Sequence, residues 1–163
     1  MGRVFFNTRE NVHTLDSGYS TYQVLASDSG RTFVLQSASA MTITLPADGD
    51  IEFGGHCRFL VNLDNNAAYN INCSDVTDST GQMFDGGLNV QVGAVAAASV
   101  FQGYAAAAGD DSSIILDTNL ADNGAKQGSW IDIIYVESSR FLVSGHIHSG
   151  DTDGDGSAIF ANV

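Results

Sequence analysis

The polar tail of the chain contains the residues whose spacing comes closest to a metal-binding pattern. Asp151, Asp153 and Asp155 alternate along the chain, and Gly156 follows the last of them. Alternate carboxylates of this kind converge on Ca²⁺ in the first half of an EF-hand loop. The twelfth position, where a bidentate glutamate belongs, is instead Asn162. Two interpretations follow, a Ca²⁺ site and a solvated acidic loop, and the missing glutamate favours the second.

Two histidines offer ligands of a different kind. His146 and His148 are two residues apart on an expected strand, so their side chains should project from the same face. Imidazoles suit transition metals, but two from one chain do not complete a coordination sphere. Three chains that meet on a three-fold axis would supply six imidazoles, enough for a metal site. Exposed histidines on a strand are also common without a metal, and this simpler interpretation is favoured.

The two cysteines lie in two predicted strands on either side of a turn centred near Asn65. If these strands form a hairpin, Cys57 and Cys73 face each other at a separation compatible with a disulfide. A chain made in a reducing cytoplasm keeps its thiols free. Free thiols, buried or half-buried, are therefore the favoured interpretation, and a disulfide formed after assembly into an extracellular particle is the alternative.

The sequence offers little for catalysis. It has one lysine, three glutamates and four scattered histidines, and it lacks a nucleophile elbow, a phosphate loop and a dinucleotide motif. We therefore expect that the protein is not an enzyme. Trp130 opens a predicted strand, where it could serve as a sugar-stacking platform or, as is commoner for strand aromatics, as a core anchor.

Short strands must position these residues. Eighteen glycines, a single proline and many Ser, Thr, Asn and Asp residues leave little material for helix interiors. Alternating apolar residues between turn signals predict about nine strands. They cover residues 22–26, 32–35, 41–45, 56–63, 67–73, 88–92, 113–116, 130–136 and 141–148.

Two pairs of these strands are predicted to form hairpins, 56–63 with 67–73 and 130–136 with 141–148. Residues 74–87 are predicted to form a loop because Thr, Ser, Asp and Gly dominate them. The spacing of the strands is that of a sandwich or barrel.

The predicted fold is therefore all-β: a single-domain antiparallel β-sandwich or jelly-roll-like barrel over residues 21–163. Residues 1–20 show no sustained period, and they are expected to form an extended N-terminal arm with a short apolar segment at Val4, Phe5 and Phe6.

Charge and hydropathy limit the partners. Nineteen acidic residues stand against six basic ones, so a nucleic-acid backbone or an anionic membrane surface would repel the protein. We therefore expect neither nucleic acid nor membrane among its partners. The chain has no long apolar run and no signal-peptide pattern at its start, which predicts synthesis and folding in the cytoplasm.

Three stretches together resemble β-rich virion proteins of tailed bacteriophages. They are residues 22–33 (YQVLASDSGRTF), residues 41–46 (MTITLP), and residues 128–135 (GSWIDIIY) with 141–145 (FLVSG). The size of the chain and the absence of a long fibrous segment are more similar to a capsid decoration, or cement, protein than to a complete tail fibre.

This resemblance implies a homotrimer on the outer surface of a phage head, bridging subunits of the major capsid protein after assembly in the host cytoplasm. It also implies that the arm reaches a neighbouring subunit, with Val4, Phe5 and Phe6 as the contact residues. The pair His146 and His148 resembles the His-x-His arrangement in trimeric tips of some tail spikes. A tail-fibre role, or a receptor- or carbohydrate-binding role that uses Trp130, Tyr104 or the Asp-rich tail with Ca²⁺, is therefore the alternative.

Overall fold

Two β-sheets packed face to face make up the protein in the computed structural model, which describes residues 11–63, 68–74, 81–92, 100–106, 111–116, 125–148 and 159–161. Within these residues there are twelve strands and one 3₁₀ turn, at Ala26–Asp28. The strands are β1 (Val12–Asp16), β2 (Thr21–Gln23), β3 (Thr32–Gln36), β4 (Met41–Thr44), β5 (His56–Val61), β6 (Tyr69–Asn72), β7 (Met83–Val92), β8 (Val100–Ala105), β9 (Ser113–Leu116), β10 (Trp130–Glu137), β11 (Arg140–His148) and β12 (Phe160–Ala161).

The first six strands alternate between the two sheets. β1, β3 and β5 are parallel neighbours in the larger sheet, and β2, β4 and β6 are parallel neighbours in the smaller one. Val12 lies opposite Thr32, which in turn lies opposite Arg58. A parallel pair needs a crossover connection, and here each crossover contains a strand of the opposite sheet. The chain therefore winds through three successive coils, as in a β-solenoid.

The later strands complete both sheets by mixed pairing. β10 and β11 form an antiparallel hairpin, which joins the coils through β5 and extends to β7 and β8. The larger sheet thus has seven strands in the order β1-β3-β5-β10-β11-β7-β8. The smaller sheet has five, in the order β12-β9-β6-β4-β2.

The core lies between the sheets and is built by the alternation of each strand. Phe33 and Phe59 are neighbours on β3 and β5, and their rings stack at 5.2 Å with an interplanar angle of 18°. Tyr69 and Ile71 face them from the smaller sheet and are fully buried. Burying a side chain of this size contributes about 1.5–3 kcal/mol to stability. The core therefore supplies the driving force that holds the two sheets together.

The prediction of an all-β sandwich is confirmed, but its details need correction. Five of the ten strand pairings are parallel, so the sheets are mixed and not antiparallel throughout. The jelly-roll alternative is not confirmed, because jelly rolls consist of antiparallel Greek keys. The hairpin of residues 130–136 with 141–148 is confirmed by the register of β10 and β11.

The hairpin of residues 56–63 with 67–73 was a wrong prediction. β5 and β6 lie in different sheets and do not pair. Most of the alternating apolar residues of the two segments are nevertheless buried, including Cys57, Phe59 and Cys73, whereas Leu63 is exposed. Alternation along a strand shows which side chains face the core, but it does not distinguish a neighbour in the same sheet from one across the sandwich.

Two predicted boundaries also change. Residues 12–16 were assigned to the arm, but they form β1, and Leu15 is completely buried in the core. The arm prediction is therefore wrong for these residues, while Val4, Phe5 and Phe6 lie outside the described residues. The loop predicted over 74–87 is wrong from residue 83 onward, where β7 begins.

Candidate functional site: the outer face of the seven-stranded sheet

The solvent-facing side of the seven-stranded sheet, called the outer face below, carries a row of large side chains. Val34, Leu60, Trp130 and His146 lie side by side on β3, β5, β10 and β11, because each is the register partner of the next. All four are partly exposed. The outer face therefore has a continuous band of apolar and aromatic surface across four strands.

A second apolar group lies further along the same hairpin. Ile134 and Leu142 are register partners on β10 and β11, and their exposed fractions are 37% and 42%. Val136, two residues beyond Ile134 on β10, is also exposed, with an exposed fraction of 42%. The exposed side of a half-buried sheet normally carries polar residues. Clustered aliphatic side chains in such a position are typical of a surface that contacts another molecule.

An ion pair separates these two apolar groups. Arg58 and Asp132 face each other on β5 and β10, and both guanidinium contacts are 2.6 Å long, from Nε to Oδ1 and from Nη2 to Oδ2. The hydrogen bonds to Asp132 raise the pKa of Arg58 above its ordinary value. A hollow of about 310 Å³ lies beside this pair, lined in part by Thr32, His56 and Ser144. The pair gives the centre of the face a fixed, bidentate geometry.

Trp130 matches neither of its two predicted roles completely. It lies on the outer face, not in the core, and its side chain is partly exposed there. The guanidinium of Arg58 lies over its ring, 5.1 Å from the ring centroid. This cation–π contact occupies one side of the indole. Trp130 therefore does not present that side as a platform for a sugar.

The structure brings the predicted histidine pair together. His146 and His148 both lie on the outer face, with ring centroids 4.7 Å apart and planes nearly perpendicular. Burial, and then the neighbouring His148, lowers the pKa of His146. Among the described residues, no group of three or more His, Cys, Asp or Glu side chains could hold a metal ion. Asp151, Asp153 and Asp155 lie outside the described residues.

The two cysteines are poor candidates for chemistry. Cys57 and Cys73 are buried and free, in line with the favoured interpretation of the sequence. Burial raises the pKa of each thiol to about 12. The thiolate is the reactive form of cysteine, and at neutral pH it is almost absent from both positions.

Sequence reasoning missed a second surface, the loop of residues 47–55 between β4 and β5. Asp48 and Tyr135 form a hydrogen bond there, and Phe53 is 67% exposed beside a hollow of about 710 Å³. The sequence did contain a signal. Ile51 and Phe53 are apolar residues among acids and glycines, where a solvated loop would need none.

In the part of the chain that the structure describes, no helix has the length and apolar character needed to cross a membrane. Comparison with known proteins gave no relative: no family model, no curated protein and no solved structure matches the chain.

Proposed function

We propose that the protein is a non-catalytic structural component of a tailed-phage virion, which decorates the outer surface of the head and stabilises the shell by bridging capsid subunits. The observation that carries the proposal is the outer face, where aliphatic and aromatic side chains remain exposed after folding. The resemblance of residues 22–145 to phage virion proteins supports the choice of partner.

The outer face is the contact between copies in a homotrimer under this proposal. Ile134 and Leu142 would be buried against a second copy, and each Å² of apolar surface removed from water contributes about 25 cal/mol before the costs of association. Homotypic contact between strongly acidic chains requires that the buried area carry little net charge. The outer face meets this requirement at its centre, because Arg58 and Asp132 neutralise each other.

The arm supplies the contact with the major capsid protein. Val4, Phe5 and Phe6 provide an apolar segment for this purpose. Repetition of the contact over many sites on a shell adds avidity without any new interaction. The net charge of −13 would keep decorated particles apart in solution.

A binding role is also supported by the chemistry that the site offers. The buried thiols are protonated at neutral pH, and the best-placed carboxylate of the outer face, that of Asp132, already holds a guanidinium. The alternative of a receptor- or carbohydrate-binding module has less support, since Arg58 covers one side of Trp130. The side chain of Tyr104 and the Asp-rich tail lie outside the described residues. A glycan array, with and without Ca²⁺, tests this alternative directly.

Sedimentation with shells assembled from the major capsid protein of the same phage tests the proposal. We expect the full chain to sediment with shells and to raise their resistance to heat. Deletion of residues 1–10, which stops before β1, should weaken this binding. Undiminished binding would refute the role of the arm, and a full chain that never sediments with shells would refute the decoration role.

The same samples test the predicted metal. If His146 and His148 hold a transition metal at a trimer axis, a chelator should dissociate the trimer. A trimer that is indifferent to the chelator would eliminate this site, and we expect that outcome because the described residues supply only two adjacent imidazoles.

A further inference from the structure

The loop of residues 47–55, called the anchored loop below, is held against the hairpin of β10 and β11 by one carboxylate. Asp48 accepts hydrogen bonds from the hydroxyl of Tyr135, from the backbone N–H of Ser139 at 3.0 Å and from its hydroxyl at 2.9 Å. These bonds, that from Tyr135 first, lower the pKa of Asp48 below its ordinary value. The carboxylate therefore stays ionised and keeps the loop attached at neutral pH.

Backbone bonds fix the other end of the anchored loop. The N–H of Gly54 donates to the carbonyl of Tyr135, and the N–H of Tyr135 donates to the carbonyl of Gly55, both at 2.8 Å. These bonds continue the ladder between β5 and β10 beyond His56. An ordered loop loses little conformational entropy when it binds a partner, so the anchored loop is preorganised for contact.

Phe53 is the most prominent apolar group on this loop. Its ring lies 5.5 Å from that of Tyr135, centroid to centroid, yet most of its surface faces solvent. Hollows of about 710 Å³ and about 470 Å³ adjoin the loop, and Ile51, Glu52 and Phe53 line both. The ring therefore stands between two solvent-open hollows, on which a partner's side chains could pack. Aromatic side chains that become buried at an interface contribute much of the energy of many protein complexes.

The charge around Phe53 has one sign. Asp48, Asp50 and Glu52 are all exposed on the anchored loop. Among the described residues that line the two hollows, none is a lysine or an arginine. A partner with acidic side chains would be repelled here, whereas a basic partner would gain from the local carboxylates and from the net charge of −13.

We propose that the anchored loop is a docking site for a protein segment that presents an apolar side chain flanked by arginine or lysine. The apolar side chain would pack on Phe53 in the larger hollow. A flanking guanidinium or ammonium group would pair with Asp50 or Glu52 and lie over the aromatic ring. This inference adds a second contact with a partner protein to the one that the arm makes, and it rests on the proposed function only in taking the partner to be a protein.

NMR titration of the ¹⁵N-labelled full chain with the peptide acetyl-Arg-Leu-Arg-amide tests the inference. We expect saturable shifts in the amide signals of Gly54, Gly55 and Tyr135. The peptide acetyl-Glu-Leu-Glu-amide should produce none. Phe53→Ala should weaken the basic peptide's binding by about tenfold, since an aromatic anchor and its cation contact are both lost. Leu63→Ala, which removes an apolar side chain that is 38% exposed and lies in neither the anchored loop nor the outer face, is the matched control and should bind as the wild type does.

Three results would overturn the inference: no shifts in the anchored loop, equal shifts with the acidic peptide, or equal shifts with a neutral glucose hexasaccharide. The last would assign the loop to carbohydrate. Signal dispersion in the same spectra shows whether Phe53→Ala is folded. The double variant Asp50→Asn with Glu52→Gln provides a second test, and its unchanged peptide binding would also count against the inference. Sedimentation with shells distinguishes the two proposals. A chain that binds shells but does not bind the basic peptide would support the decoration role and refute only the docking site on the anchored loop.

Discussion

The inner and outer faces of the seven-stranded sheet are formed by alternate residues of the same strands, yet they differ sharply. On the inner face Phe33, Phe59 and Ile131 are almost completely buried against the smaller sheet. On the outer face the intervening positions hold the Arg58–Asp132 ion pair among partly exposed apolar side chains. The inner face accounts for folding. Apolar side chains of the outer face remain exposed in the folded chain, so the proposed association would bury them.

This division of roles makes a specific claim about mutations. Changes on the inner face should lower the free energy of unfolding of the single chain, and changes on the outer face should alter association while leaving that single-chain free energy nearly unchanged. The predictions below compare the two faces through adjacent residues wherever the strands allow it.

Among the substitutions, Phe59→Ala should have the largest effect on stability. It removes a ring that stacks on Phe33, and the cavity that remains should cost about 3–5 kcal/mol of the free energy of unfolding. Urea denaturation followed by circular dichroism measures the loss. Leu60→Ala, at the next position on the outer face, is the control and should cost much less. Equal losses at the two positions would remove the distinction between the faces.

Gly145→Ala should also destabilise the protein, because the close approach of β10 leaves no room for a methyl group. An added Cβ would lie 2.4 Å from the carbonyl oxygen of Trp130 and 3.1 Å from Cα of Ile131. Backbone atoms cannot move away cheaply, so we expect a loss of about 1–3 kcal/mol. Ser144→Ala, exposed on the outer face, serves as the control in the same urea titration. An unchanged midpoint for Gly145→Ala would contradict the packing described here.

The two thiols buried in the core should make stability fall at alkaline pH. The unfolded thiols ionise near pH 8.5, whereas burial keeps Cys57 and Cys73 protonated up to a pKa of about 12. Their contribution is therefore complete below about pH 8.5. It decreases between that pH and 12 by up to about 1.4 kcal/mol per pH unit for each thiol.

Urea titrations at several alkaline pH values measure this effect, with the double variant Cys57→Ala and Cys73→Ala as reference. The variant removes the thiols but leaves the tyrosines and the lysine, so the difference between the two slopes isolates the cysteines. Parallel slopes would mean that the thiols are accessible to water in the folded protein.

Arg58→Ala should have the smallest effect. The ion pair with Asp132 is partly exposed, and such pairs are worth about 0–1 kcal/mol. Removal of the guanidinium should also uncover one side of Trp130 and shift its fluorescence emission to longer wavelength. A loss of unfolding free energy as large as that of Phe59→Ala would show that the centre of the outer face contributes to stability as the core does.

The sequence alone was sufficient to predict features that depend on residues close together along the chain. The hairpin of β10 and β11 was predictable because its turn is short, and the shared face of His146 and His148 follows from strand geometry alone. Alternation also identified buried residues such as Phe59 and Tyr69. These features need no knowledge of which strand lies beside which.

Features that depend on distant segments could not be predicted in this way. Parallel pairing of β3 with β5 has no local signal, because the connection passes through the other sheet, and so β5 was matched to the wrong strand. The environment of Trp130 escaped prediction for the same reason, since Arg58 comes from a strand about 70 residues away. The anchored loop was missed because Tyr135 and Ser139, which hold Asp48, are equally remote.

The most direct test of the account is the solution mass of the purified protein, measured by light scattering for the wild type and for the double variant Ile134→Asp with Leu142→Asp. The account predicts three times the mass of one chain for the wild type. The variant should have the mass of a single chain and a circular dichroism spectrum like that of the wild type, which shows that it is folded. Its unfolding midpoint should be lower only by the stabilisation that association adds. The control Ala38→Asp with Ala40→Asp adds the same charge at two exposed positions and should remain trimeric. A monomeric wild type, or a variant that stays trimeric, would contradict the claim that the outer face joins copies of this chain.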